Sequence, residues 1–225
     1  FGRPALNVIL PSLWPSFILA GSALGLSLLV GVPLGVVAAA YPRSAFDRIG
    51  QAIAVLGQAA PSFLVGLLLV RLFSVGLGWL PSRGHGGIRF LIMPALALSL
   101  YSMAAIFRLT QANMVEVLSS DYIRLARIKG LPACVILIRH ALRNAAQPIV
   151  TFAGMQLGVL MGGAVTIEAV FAWPGLGKLV VDAIHQLDYN LVQAGAVMLI
   201  VIFVVLNFLT DIIYGLIDPR IRYAS

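Results

Sequence analysis

Apolar residues in this chain come in long unbroken runs, not in alternation. No charged residue lies between Arg3 and Arg43, and residues 14–40 form the natural spanning segment inside that run. The same pattern recurs at residues 49–70, 90–107, 144–167 and 189–210. A helix needs about 20 apolar residues to cross the hydrocarbon core of a bilayer, so five spans are predicted. Continuous runs favour helices over a membrane barrel, whose strands alternate apolar and polar positions. The third run is the shortest. It extends beyond Arg108 if that arginine faces protein or reaches back to the interface.

Composition agrees with the pattern. Hydrophobic residues make up 60% of the 225 and charged residues 10%, against about 25% charged in soluble domains. A soluble enzyme, a disordered tail, a collagen-like chain and a coiled coil are excluded, and an integral membrane protein remains. The net charge of +7 sits between the apolar runs, where it serves topology and anionic headgroups. No aromatic-interleaved basic surface points to nucleic acid.

The basic residues divide unevenly. Arg43 and Arg48, the stretch from Arg108 to Arg143, and the tail with Arg220 and Arg222 hold ten; Arg3, Arg71, Arg83, Arg89 and Lys178 make five on the other side. The positive-inside rule places the first set, and with it the C-terminus, in the cytoplasm. The visible N-terminus then starts outside with no export signal. One further helix ahead of residue 1 would resolve this, giving six spans in the full protein.

Gly21/Gly25, Gly31/Gly35, Gly154/Gly158 and Gly158/Gly162 are small-residue pairs four apart, which let helices approach closely in lipid. Pro33, Pro61, Pro94 and Pro148 predict kinks. The lone cysteine, Cys134, excludes an internal disulfide and is expected to be a small core residue.

No catalytic constellation is present. His85, His140 and His185 fall in separate connections without ligand-spaced neighbours. Gly175-Leu-Gly177-Lys178 suggests a phosphate loop, but Leu179 replaces the required hydroxyl residue and Ala172 replaces the first glycine. If ATP drives this protein, another chain hydrolyses it. Glu168, Arg71, Arg108 and Asp211 sit at span ends, and the span middles offer mainly Ser27, Gln58, Thr151, Gln156 and Asn207. That argues against a self-powered carrier with mid-membrane ionisable groups.

The informative connection covers residues 113–143. Ser119, Ser120 and Asp121 are cap candidates, followed by Tyr122-Ile-Arg-Leu-Ala-Arg-Ile-Lys-Gly130 and Pro132. A front cap, Lys129 in the last turn and Gly130 as the stop predict a short helix. Tyr122, Leu125 and Ala126 are expected on one side, and Arg124 and Arg127 on another. Such a helix is either an inert connection at the headgroups or a peg for a cytoplasmic partner.

At these residues the chain resembles the inner-membrane permease subunits of bacterial ABC importers for dipeptides, oligopeptides and nickel, in particular the first of their two paired permeases. Asp121-Tyr-Ile-Arg-Leu-Ala-Arg-Ile-Lys-Gly130, then Arg139-His-Ala-Leu-Arg-Asn144 and Pro148, are similar to that family's cytoplasmic coupling loop. Gly162-Gly-Ala-Val-Thr-Ile-Glu168, Phe171-Ala-Trp-Pro-Gly-Leu-Gly177, Asp188-Tyr189 with Val192-Gln193, and Asp218-Pro-Arg-Ile-Arg222 resemble its later signatures; Ala60-Pro-Ser-Phe63 and Leu77-Gly-Trp-Leu-Pro81 resemble earlier ones. The chain departs from the wider importer pattern where Arg124 and Leu125 replace the first two residues of a Glu-Ala-Ala opening.

The resemblance implies an all-α, polytopic transmembrane bundle of the type I, MetI-like kind, a single permease domain over residues 1–225 in the bacterial plasma membrane. It implies a non-catalytic subunit that passes di- or oligopeptides, or a related small solute. The implied partners are a second homologous permease, two ATPase subunits that bind the ATP and magnesium, and an extracytoplasmic substrate-binding protein. This chain itself would hold no cofactor or metal. The coupling residues would be Asp121, Tyr122, Ile123, Arg124, Leu125, Ala126, Arg127, Lys129 and Gly130. On the outer side, Glu168, Asp182 and Asp188 would meet cargo or the binding protein or remain solvated, and Phe171 and Trp173 would plug the mouth or anchor at the interface. A stand-alone secondary carrier or channel is the alternative.

Overall fold

The computed structural model describes residues 4–217; Arg3 and the tail motif Asp218 to Arg222 lie outside the described residues. Eight helices account for nearly all of this segment: α1 (Ala5–Ala40), α2 (Ala45–Ala59), α3 (Ser62–Gly76), α4 (Ile88–Leu118), α5 (Asp121–Ile128), α6 (Ala133–Phe171), α7 (Leu176–His185) and α8 (Tyr189–Ile217). The Asp211 side chain also lies outside the described residues. Among the described residues there are no strands.

Four helices are long and apolar enough to cross a membrane: α1, α4, α6 and the residues Tyr189–Thr210 of α8. The second expected span departs from a simple rod. It is the pair α2 and α3, bent by 103°. Ala60 and Pro61 form the corner, both in extended backbone, because proline has no N–H to continue α2 and disfavours helical backbone in the residue before it. If the bent pair counts as one span, the chain has five. Helices α1, α4 and α6 run on through Pro33, Pro94 and Pro148.

Helix α4 extends well past Arg108. The Arg108 guanidinium donates to Gln58 Oε1 at 3.1 Å on α2, so the charge is directed along the protein and the helix has no reason to stop there. The segment 113–143, read from sequence as a loop, is mostly helical. Helix α4 continues to Leu118 and α6 starts at Ala133, with a π-helical stretch at Ile136–Leu142. Cys134 is exposed, not a core residue.

Three clusters of buried side chains hold the bundle among the described residues, the least of them Ala38, Ala54, Ala104 and Phe107 between α1, α2 and α4. Of the other two, the larger joins α1, α4, α6 and the start of α7 through Leu19, Met93, Leu98, Ile167, Phe171 and Leu176. The smaller, at the other end, gathers Ala39, Met114, Ile123, Ala126, Ile136 and Ala145. Glycine sets the closest approaches. A Cβ on Gly35 would lie 2.7 Å from Thr110 Cβ and 2.8 Å from the Phe107 carbonyl oxygen. Gly31 meets α4 in the same way, and Gly154 and Gly158 face Thr210, Asn207 and Phe203 of α8. Gly21, Gly25 and Gly162 have open space, so of the seven glycines in these pairs four serve helix packing within the chain and three do not.

Overpacking a tight contact costs about 1–3 kcal/mol. Gly35→Ala is therefore expected to lower the thermal unfolding midpoint of the detergent-solubilised protein by several degrees, whereas Gly21→Ala leaves it unchanged. Parallel melts of the two variants check this.

Candidate functional site

Two assemblies stand out, one at each end of the bundle. The first is α5 and its connections. Ser120 occupies the N-cap position with extended backbone, and its carbonyl accepts the Arg124 N–H at 3.2 Å. Its hydroxyl does not cap α5; it donates back to the Val117 carbonyl at 2.5 Å, while Ser119 Oγ donates to Glu116 at 2.7 Å. The serines close α4 with their side chains and open α5 with backbone alone. Asp121 sits in the first turn, where the helix dipole favours an anion, and makes an exposed 3.3 Å ion pair with Arg124.

The far end of α5 closes as a Schellman motif. Leu131 N–H donates to the Ala126 carbonyl at 3.3 Å and Gly130 N–H to Arg127 at 3.0 Å. Gly130 has φ +74°, with nothing near its missing side chain. Glycine is required here for backbone conformation, not for space.

Helix α5 presents two faces that differ from the expected grouping. Ile123 and Ala126, three apart, are buried in the smaller cluster. Tyr122, Leu125 and Ile128 are 42, 58 and 80% exposed. They form an apolar ridge directed away from the bundle, with Arg124, Arg127 and Lys129 also exposed around it. The expected association of Leu125 with Ala126 on one side fails because the packing stripe runs through Ile123. A hydrogen bond ties the ridge to the next span: Asn144 Nδ2 donates to Tyr122 Oη at 2.9 Å and to the His140 carbonyl at 2.8 Å.

The second assembly lies where α6 ends. Ala172 closes that helix in the left-handed region at φ 51°. Glu168, one turn earlier, is 1% exposed. Ser16 Oγ of α1 donates to its Oε1 at 2.5 Å, and the Lys178 N–H donates to Oε2 at 3.0 Å. Ser16 Oγ in turn accepts the Leu176 N–H at 2.8 Å. The stretch Gly175-Leu-Gly177-Lys178, phosphate-loop-like on paper, thus wraps the chain's own carboxylate. Its glycines make the room: a Cβ on Gly175 would lie 2.1 Å from Glu168 Oε1, and one on Gly177 2.5 Å from Val165 Cα. Gly175 has φ −91°, so here glycine is needed for space and not for conformation.

The remaining residues expected at this end are also engaged. Phe171 and Trp173 are core residues of the larger cluster; Trp173 Nε1 donates to the Pro15 carbonyl at 2.9 Å and its ring meets His85 edge-on. Asp182 pairs with Lys178. Asp188 caps α8, its Oδ1 accepting the Leu191 N–H at 3.1 Å. Glu168, Phe171 and Trp173 therefore have no free surface with which to meet cargo, plug a mouth or anchor in headgroups, because burial and internal bonds use them up. Ser16 was not singled out in the sequence, since a serine in an apolar run is common. Asp47 was also missed: it is buried in the first turn of α2, where Oδ2 accepts the Arg43 N–H at 2.8 Å and Oδ1 accepts from Gln111 Nε2 of α4 at 3.4 Å.

An all-helical bundle with four helices, or five with the bent pair, long and apolar enough to cross a bilayer defines a polytopic membrane protein. Residues 31–223 match the binding-protein-dependent transport system inner membrane component family, and the chain belongs to that family. It is similar to the glutathione transport system permease protein GsiC of Pectobacterium atrosepticum, at 40% identity over 221 residues covering 98% of this chain and 72% of that one. The GsiC protein of Escherichia coli strain K12 matches at 39% over the same shares. In fold, the chain is similar to a chain of the inward-facing MetNI methionine ABC transporter, with a TM-score of 0.82 at 18% identity over 97% of this chain and all of that one. A chain of an amino acid ABC transporter gives 0.70 at 14% identity, covering 92% and 93%. The chain is an ABC importer permease subunit.

Forcing a side chain into the left-handed region costs about 1–2 kcal/mol. Gly130→Ala is expected to raise amide exchange in the last turn of α5 by roughly tenfold, and Gly130→Asn by less, since asparagine tolerates that region. Hydrogen-exchange mass spectrometry over Asp121–Ile128 checks this.

Proposed function

We propose that this chain forms half of the translocation pathway of an ATP-driven importer for small peptides or a chemically related solute, and that α5 is the peg gripped by an ATPase subunit. The observation that carries this reading is the exposed ridge of Tyr122, Leu125 and Ile128. A peg lying passively in the headgroups would turn these side chains inward to the apolar cluster beneath it. Here Ile123 and Ala126 fill that cluster and the ridge is left for a partner. The basic rim of Arg124, Arg127 and Lys129 suits a cleft that carries acidic groups on its lip.

The partners are a second homologous permease, two ATPase subunits holding ATP and magnesium, and an extracytoplasmic binding protein that delivers the solute. The division of basic residues along the sequence, ten in the connections grouped with α5 and the tail against five in the others, supports a cytoplasmic position for α5 and the C-terminus at the bacterial inner membrane. Peptides and glutathione share an amide backbone with a charged amine and carboxylates, which supports one solute class for this chain and for the glutathione permeases it is similar to.

Fully burying a leucine stabilises by about 1.5–3 kcal/mol. In proteoliposomes holding the complete transporter, Leu125→Asp is expected to cut ATP-dependent uptake of a dipeptide or glutathione by roughly tenfold or more, with the inserted amount unchanged. Gly130→Pro is expected to do the same by breaking the α5 stop. Normal uptake by these variants, or uphill uptake by this chain alone without ATPases, would overturn the reading and favour a stand-alone carrier.

A further inference from the structure

The junction at Glu168 joins three helices through one carboxylate. Ser16 brings α1, Glu168 brings α6, and the N–H groups of Leu176 and Lys178 bring the first turn of α7. These two amides belong to the set that a helix cannot satisfy within itself. The ammonium of Lys178 is not part of the joint, because it pairs with Asp182. The joint is therefore a backbone–carboxylate clasp with almost no solvent access, and it is sealed by the Trp173 bond to Pro15.

Such a clasp does not open gradually. Withdrawing α7 would strip Glu168 of the Lys178 amide and Ser16 of the Leu176 amide in the same movement. A buried carboxylate and hydroxyl would then lack partners in a site too tight for another side chain, as the 2.1 Å clearance at Gly175 shows. Helix α6 carries a second tie at its other end, where Asn144 bonds to Tyr122 of α5. One helix thus holds the peg at one end and α7 at the other.

We infer that Glu168 is a positioning residue that makes α7 a rigid extension of α6 and α1, so that a displacement received at α5 is delivered to the opposite end of the bundle. This rests on the transport reading above. Its role is transmission of movement, and the residue touches no solute.

The test uses the complete transporter in proteoliposomes, with Glu168→Ala, Glu168→Gln and Gly175→Ala. The alanine variants are expected to raise amide exchange at residues 176–178 by about tenfold or more, with α8 and α4 unaffected, and to lower uptake per ATP hydrolysed by about tenfold while hydrolysis continues. Glu168→Gln, which keeps one acceptor oxygen, is expected to restore part of both. Unchanged exchange would overturn the inference. So would uptake that falls only in proportion to the assembled complex, or uptake per ATP that stays at the wild-type value while exchange rises. If Glu168→Ala does not insert, Ser16→Ala carries the same comparison. A wild-type complex that shows no ATP-dependent uptake overturns the transport reading and the transmission role together. A wild-type complex that transports, with variants at its own ratio of uptake to hydrolysis, overturns only the role of Glu168.

Discussion

In lipid there is no water to accept or donate a hydrogen bond, so each polar group within a span must find its partner in the protein. Much of this bundle is arranged by that requirement. Ser27 donates to the Ala23 carbonyl at 2.8 Å, and Gln156 Nε2 to Ser102 Oγ at 2.8 Å across α6 and α4. Thr151 and Asn207 donate to carbonyls one turn back in their own helices. These polar residues are therefore engaged within or between helices, whereas Thr110 Oγ1 on α4 is buried without a partner. Glu168 is the extreme case: a full carboxylate is tolerated because three helices converge to clothe it.

Close packing supplies the other half of the cohesion. Hydrophobic burial does not distinguish a neighbouring helix from a lipid tail, so helices associate through the fit of their surfaces. Helix α1 lies against α4 where Gly31 and Gly35 remove side chains, and α6 lies against α8 at Gly154 and Gly158. The bent pair α2–α3 is different. Helix α2 leaves an apolar groove of about 440 Å³ against α1 and α4, bordered by Gly31, Ile53, Gly57, Leu100, Met103 and Phe107. The corner at Ala60–Pro61 separates α2, which borders this groove, from α3, whose Val65, Gly66 and Leu69 pack on the larger cluster.

The number of apolar runs, their helical character and the short capped helix at Asp121 were legible because each depends on local chemistry: run length, cap residues, a glycine stop. The order of motifs along the chain carried the family. What was not legible depended on contacts distant in sequence. Pro61 marked the place of the corner but not its 103°, and Pro33, Pro94 and Pro148 carried the same mark inside helices that run on. The faces of α5 were assigned to the wrong residues because the packing stripe is chosen by Met114, Ile136 and Ala145, all outside the helix. Glu168 read as an outward-facing charge because its partner Ser16 lies 152 positions away. The glycines of Gly175-Leu-Gly177 were visible, but the anion they accommodate is one that no motif names.

The division of α5 into an inner side held by Ile123 and Ala126 and an outer side made by Tyr122, Leu125 and Ile128 separates two kinds of selection. Changes on the inner side are judged by this polypeptide's own folding. On the function proposed above, changes at Leu125 and Ile128 would be judged by another gene's product, while Tyr122, bonded to Asn144, answers to both. Partner choice could then be re-engineered at two side chains with little bearing on whether the subunit folds.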